Sequence, residues 1–242
     1  MKFLKPKFWS KKNSLISIIL LPISYLIQIL IIFKRRTTTR ETFDIPIICV
    51  GNIYLGGTGK TPLSIMIAEE LAKNNKKPAI IKKFYSAHVD EHNLIRDRIN
   101  CLFLNKKRSS AIKEAIKRKY NIIVLDDGFQ DTSIKKNLNI LCFNSRQLVG
   151  NGMTLPSGPL RESFNKVKDA DLIVINGERN VSFENMIFNI SNKIKIFYSR
   201  YVPSNIENFK GKKLLAFAGI GSPDNFFEIL EKNNLNIQKK IS

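Results

Sequence analysis

Residues 45–62 read IPIICVGNIYLGGTGKTP. Ile45, Ile47, Ile48 and Val50 make an apolar, β-branched run that predicts a strand. A glycine-rich loop follows, and Thr61 and Pro62 open a helix-like segment. In that order, N–H groups turned inward by a glycine loop and the positive end of a helix dipole form an anion cradle. Lys60 is placed to reach β and γ phosphates, and the Thr61 hydroxyl to sit on Mg²⁺. Measured against GxxxxGK[ST], Tyr54 stands where the first glycine is expected; Gly51 comes three residues earlier, and Gly56 and Gly57 add a pair. The candidate ATP loop is therefore Tyr54, Leu55, Gly56, Gly57, Thr58, Gly59, Lys60 and Thr61. The competing reading is a glycine-rich turn with an incidental Gly-Lys-Thr.

Working outward, residues 62–75 carry apolar side chains broad enough for a helix packed on a sheet. Residues 78–81 and 101–104 read as strands on either side of a polar, histidine-bearing segment, FYSAHVDEHNLI. Residues 109–120 form a basic amphipathic helix with a serine cap. Residues 121–127, NIIVLDD, form an apolar strand that ends in two carboxylates. Further strands are predicted at 139–143, 171–175, 193–198 and 213–217, and Ser222-Pro223-Asp224 opens a helix. Strands alternating with helices predict an α/β fold, a doubly wound and mostly parallel sheet of the P-loop NTPase type. Asp126 and Asp127, at the end of their strand, are the expected second half of a phosphate-loop site and candidate Mg²⁺ ligands with Thr61. Two solvated turn aspartates would be the plainer reading.

Among 242 residues, 40 are Lys or Arg and 20 are Asp or Glu, a net charge of +20. That balance points to an anionic partner, either phosphate-rich substrate or anionic membrane. No nucleic-acid module is visible and the lysines are scattered, so nucleic acid is not expected. Residues 14–33 form a twenty-residue stretch without a charge, long enough to span a bilayer core. It predicts a retained N-terminal membrane-anchoring helix. Basic residues on both flanks leave its orientation balanced, and Pro22, Ser24 and Gln28 also permit a kinked or interfacial helix. Cys49, Cys101 and Cys142 each fall in an apolar run, as buried thiols do in a reducing compartment.

The series VGNIYLGGTGKTP, VLDDGFQ, GNGMTLPSGPLRE, ADLIVING and AFAGIGSPDNFF resembles the tetraacyldisaccharide 4'-kinase family, which phosphorylates the lipid A precursor disaccharide at the inner membrane of Gram-negative bacteria. The GGTGKT ending also resembles the loop of the partitioning-ATPase and signal-recognition branch of P-loop proteins. The kinase resemblance implies ATP and Mg²⁺, a lipid A disaccharide precursor as substrate, contact with membrane lipids, and a catalytic domain on the cytoplasmic side. It places Arg161, from GPLRE, near the nucleotide phosphates. It gives Asp90, in Val89-Asp90-Glu91-His92, the role of the family's catalytic aspartate, the base on the sugar hydroxyl.

Three departures stand out. The family's SRGYG is replaced by KKFYS at 82–86, and the histidine after DDGxQ is Asp131. The chain also stops at Ser242, ahead of the family's distal histidine motif, so it is expected to be a fragment, to work without that region or not to work as a kinase. His88 and His92 flank Asp90; they are read as loop histidines, with a local substitute for the distal histidine or a metal pair as rarer alternatives. The expected organisation is an anchor at 1–40, a kinase core at 41–210 and the start of a second lobe at 211–242. The rival readings are a P-loop ATPase and a catalytically inactive, membrane-tethered nucleotide binder. GTP use is disfavoured because Asn165-Lys166-Val167-Lys168 lacks the guanine-reading aspartate.

Overall fold

The computed structural model describes residues 5–85, 89–219 and 223–241. Its centre is a sheet of seven strands: β1 (Ile47–Gly51), β2 (Pro78–Lys83), β3 (Leu102–Asn105), β4 (Ile122–Asp126), β5 (Leu138–Asn144), β6 (Leu172–Asn176) and β7 (Lys195–Ser199). They lie in the order β3-β2-β4-β1-β5-β6-β7, every neighbouring pair parallel. The chain runs from β1 to one edge, returns to insert β4 beside β1, then proceeds to the other edge. That reversal brings the loops after β1 and β4 together at the carboxyl end of the sheet, where open α/β folds bind ligands.

Parallel strands covered on both faces read as continuous apolar runs, and β4 is buried along its whole length. Its side chains alternate between faces. Ile123 and Leu125 pack with Ile47, Cys49 and Phe143 against α5 (Arg108–Lys117), through Ala111, Ile112 and Ala115. Val124 packs with Val50, Ile80 and Ile140 against Leu63, Ile65 and Ala68 of α3 (Lys60–Lys73), and against Ile95 of α4 (Val89–Arg98). Burying one such side chain contributes about 1.5–3 kcal/mol. The helix α6 (Val181–Phe188) starts at Asn180, whose side chain accepts a hydrogen bond from the Phe183 N–H. A separate sheet pairs β8 (Lys213–Phe217) with β9 (Asn236–Ile241) in parallel. The intervening helix α7 (Pro223–Lys232) packs Phe227 against Ala216 and Ala218.

The twenty-residue stretch expected at 14–33 to be a membrane-anchoring helix is not one continuous helix in the structure. The stretch is divided into α1 (Leu15–Ile19) and α2 (Leu21–Thr37), with Pro22 in the first turn of α2. Among the described residues, no helix is long and apolar enough to cross a membrane. The inner side of the two helices is polar and docked on the protein. Ser17 and Ser24 are buried; Ser17 accepts from Asn151 Nδ2 at 3.1 Å, and Ser24 Oγ donates to the Thr154 carbonyl at 3.0 Å. Gln28 Nε2 donates to the Arg161 carbonyl at 3.5 Å, and Arg35 pairs with buried Glu162 at 2.5 Å. The opposite side, including Leu26, Ile29, Leu30 and Phe33, faces outward.

Candidate active site

The phosphate loop leaves β1 through Gly51, where a Cβ would lie 2.4 Å from that of Phe129; the close approach of the two chains admits only glycine. The loop is fixed from two sides. Asn52 Nδ2 donates to Thr58 Oγ1 at 2.9 Å and to the Gly56 carbonyl at 3.2 Å, while Gln130 Nε2 donates to the Asn52 carbonyl at 2.6 Å. Tyr54 forms an antiparallel bridge with Leu160, and the Leu55 N–H donates to the Pro159 carbonyl at 2.8 Å. Gly57 has open space around it. Gly59 adopts φ +88°, a left-handed turn that starts α3 with Lys60 and Thr61 in its first turn.

Thr61 Oγ1 donates to Asp126 Oδ2 at 2.9 Å, and Ser64 Oγ donates to Oδ1 at 3.2 Å. Asp126 is fully buried. Lys82, at the end of β2, also bonds Asp126 and stands 3.4 Å from Thr61 Oγ1 and 2.7 Å from Glu91. Burial pulls the Lys82 ammonium's pKa down, yet Asp126 and Glu91 together carry it above the usual lysine value.

Asp127 sits beside this cluster with φ +56°. Its carboxylate accepts from Arg161 at 2.9 and 3.1 Å and lies 3.8 Å from Lys60 Nζ. Burial alone would raise its pKa, but Lys60 and Arg161 hold it below the ordinary carboxylate value. Arg161 reaches this position because its N–H donates to the Ile53 carbonyl at 2.7 Å, running the GPLRE segment alongside the chain that leads into the loop. A groove of about 550 Å³ opens here, lined by Lys34 and Arg35 of α2 and by Lys82, Arg108, Asp126 and Arg161.

Loop, Asp126, Asp127 and Arg161 thus converge. Asp90 is exposed on the first turn of α4, and it is its neighbour Glu91 that reaches the cluster, through Lys82. His92 is buried in α4 and stacked on Phe84 at 5.9 Å, not an exposed loop histidine. His88 and the Ser222 cap lie outside the described residues. Among the described residues, no group of three His, Cys, Asp or Glu could hold a metal by itself. Sequence reasoning missed Lys82, Ser64, Asn52, Gln130 and Arg108. The available signal for Lys82 was a lysine closing an apolar strand, Pro-Ala-Ile-Ile-Lys.

A parallel sheet whose first strand feeds a glycine loop, with the loop threonine bonded to a carboxylate at the end of the adjacent strand, defines a phosphate-loop nucleotide-binding protein. The profile of tetraacyldisaccharide-1-P 4'-kinase (LpxK) matches residues 16–242, and the chain belongs to that family. It is 44% identical over 241 residues to the tetraacyldisaccharide 4'-kinase of Pelagibacter ubique, covering 98% of this chain and 76% of that protein. To the enzyme of the same name from Rickettsia canadensis it is 33% identical over 253 residues, with the same shares covered. The crystal structure of LpxK from Aquifex aeolicus in complex with ATP shares the fold, with a TM-score of 0.70 over 93% of this chain and 81% of that chain at 22% identity.

Proposed function

We propose that this chain is a kinase that transfers the γ-phosphoryl group of ATP to the 4' hydroxyl of a tetraacylated glucosamine disaccharide 1-phosphate, a step of lipid A biosynthesis. The observation that carries the reading is the hydrogen bond from Thr61 to buried Asp126 beside the loop that presents Lys60. The relatives, named as kinases, give no support to an ATPase or an inactive binder.

Phosphoryl transfer asks chiefly for positioning and for neutralisation of charge. Residues 54–61 cradle the phosphates with backbone N–H groups, Lys60 clamps the β and γ oxygens, and Arg161 adds charge from the GPLRE side. Hard oxygen donors with one or two carboxylates suit Mg²⁺, which takes its remaining ligands from phosphate and water. Thr61 and Asp126 would hold it, with Asp127 contributing charge from the next position; when bound, the ion neutralises β and γ oxygens. Asp90 is the general base, a reading supported by its match to the family's aspartate and by its place just beyond the carboxyl end of β2. The exposed apolar side of α1 and α2 rests in the acyl boundary of the inner membrane, with the site on the cytoplasmic side, where ATP is. That arrangement suits an acylated substrate whose headgroup must meet the groove below α2.

The test is transfer from labelled ATP to the purified disaccharide 1-phosphate. Lys60→Ala should abolish it; parental transfer by that variant would overturn the assignment.

A further inference from the structure

The cation on Asp126 belongs to the chain itself. Lys82 is 5% exposed, and its Nζ contacts the very oxygens assigned above to the metal, those of Thr61 and Asp126. An ammonium and a divalent ion cannot occupy that position together, because like charges a few ångströms apart repel strongly where water is excluded. A fully buried carboxylate, in turn, is not tolerated without a counter-charge. Glu91 offers the ammonium a second position. Its carboxylate is 2.7 Å from Nζ, its side chain is 48% exposed, and it stands on α4 rather than in the sheet.

We propose that Lys82 is a built-in counter-cation that holds the metal position of the nucleotide-free protein and withdraws onto Glu91 when a divalent ion arrives. This lysine, rather than Lys60, then sets how tightly the site takes a divalent ion without nucleotide. The inference rests on the reading of Thr61 and Asp126 as metal ligands. It assigns a role to one residue of KKFYS, the segment where this chain departs from the family pattern.

The probe is Mn²⁺ alone, titrated into the full chain and followed by electron paramagnetic resonance. Lys82→Met keeps the length of the side chain without its charge and should bind Mn²⁺ roughly tenfold or more tightly than the parent. Glu91→Gln should bind it more weakly, since the ammonium loses its second position. Equal or weaker affinity in Lys82→Met overturns the proposal, as does unchanged affinity in Glu91→Gln. Glu91 is half-exposed, so its variant keeps the test decisive where the buried substitution fails to fold. Asp126→Asn examines the underlying metal assignment: loss of Mn²⁺ binding is expected, and parental affinity there would overturn that assignment itself.

Discussion

Lys60 and Arg161 both face Asp127, so the carboxylate is a preformed counter-charge for two side chains proposed to receive phosphate. Asp131 has a comparable bracing role. It accepts from Arg108 at 3.0 Å and from Ser133 Oγ at 2.6 Å, and Arg108 also donates to the Asp127 carbonyl at 2.7 Å. Burial would raise the Asp131 pKa, but Ser133 and Arg108 hold it below its ordinary value of 3.8. A carboxylate with a depressed folded pKa adds stability above the unfolded value, and that stability is lost as pH falls through the folded one. Asp131→Asn should therefore be less stable than the parent by about 1–3 kcal/mol at neutral pH. The gap should begin to narrow below about pH 4 and close as pH falls through the folded value, which thermal melts across a pH series would show. At Asp90, replacement by Asn should lower kcat by roughly 10² to 10⁴ while ATP affinity stays close to parental. Single-turnover transfer and nucleotide titration separate the two effects, and an undiminished kcat would place the base elsewhere.

At the scale of elements, the strands were legible because burial on both faces leaves uninterrupted apolar runs, as in β1 and β4. The phosphate loop, Asp126 and Asp127 were legible because glycines and a strand-end acid pair are local signals, whereas Arg161 was expected there only through the resemblance of GPLRE to the family's segment. The helix α4 was not, since VDEHNLIRDR is polar and Ile95 is its fully buried apolar residue. Its acids in the first turn and arginines in the last suit the helix dipole instead. The apolar count over 14–33 concealed which side was already occupied. Ser24, Gln28 and Arg35, spaced by four and seven, share one face of α2 and dock on residues 154–162. The triple change Leu26→Ser, Leu30→Ser and Phe33→Ser, all on the outward face, should weaken binding to phospholipid vesicles by roughly tenfold or more. Because those side chains are exposed, the unfolding midpoint should stay near parental; vesicle flotation beside a thermal melt reads both.

Over the whole molecule, the +20 charge adds a long-range attraction to anionic lipid that the apolar face of α2 does not supply. Binding to vesicles containing anionic lipid should weaken as salt rises from about 0.05 to about 0.5 M, as the Debye length shrinks. A salt-resistant remainder from apolar contact should persist, and neutral vesicles should show that remainder alone. The fold that organises the molecule also shelters all three of its cysteines. Cys49, Cys101 and Cys142 are buried, and burial pushes the Cys49 thiol up to about 11 and that of Cys142 up to about 12. Only a thiolate attacks maleimides and methanethiosulfonates, so Cys49 and Cys142 should be slow toward such reagents, and Cys101, which lines a surface cleft, is replaced by Ser for labelling. A single cysteine introduced at outward-facing Ile29 would then carry a nitroxide label on that background. Its accessibility to dissolved oxygen in the presence of vesicles would test the proposed placement of α2 in the acyl boundary and, where it holds, read the depth.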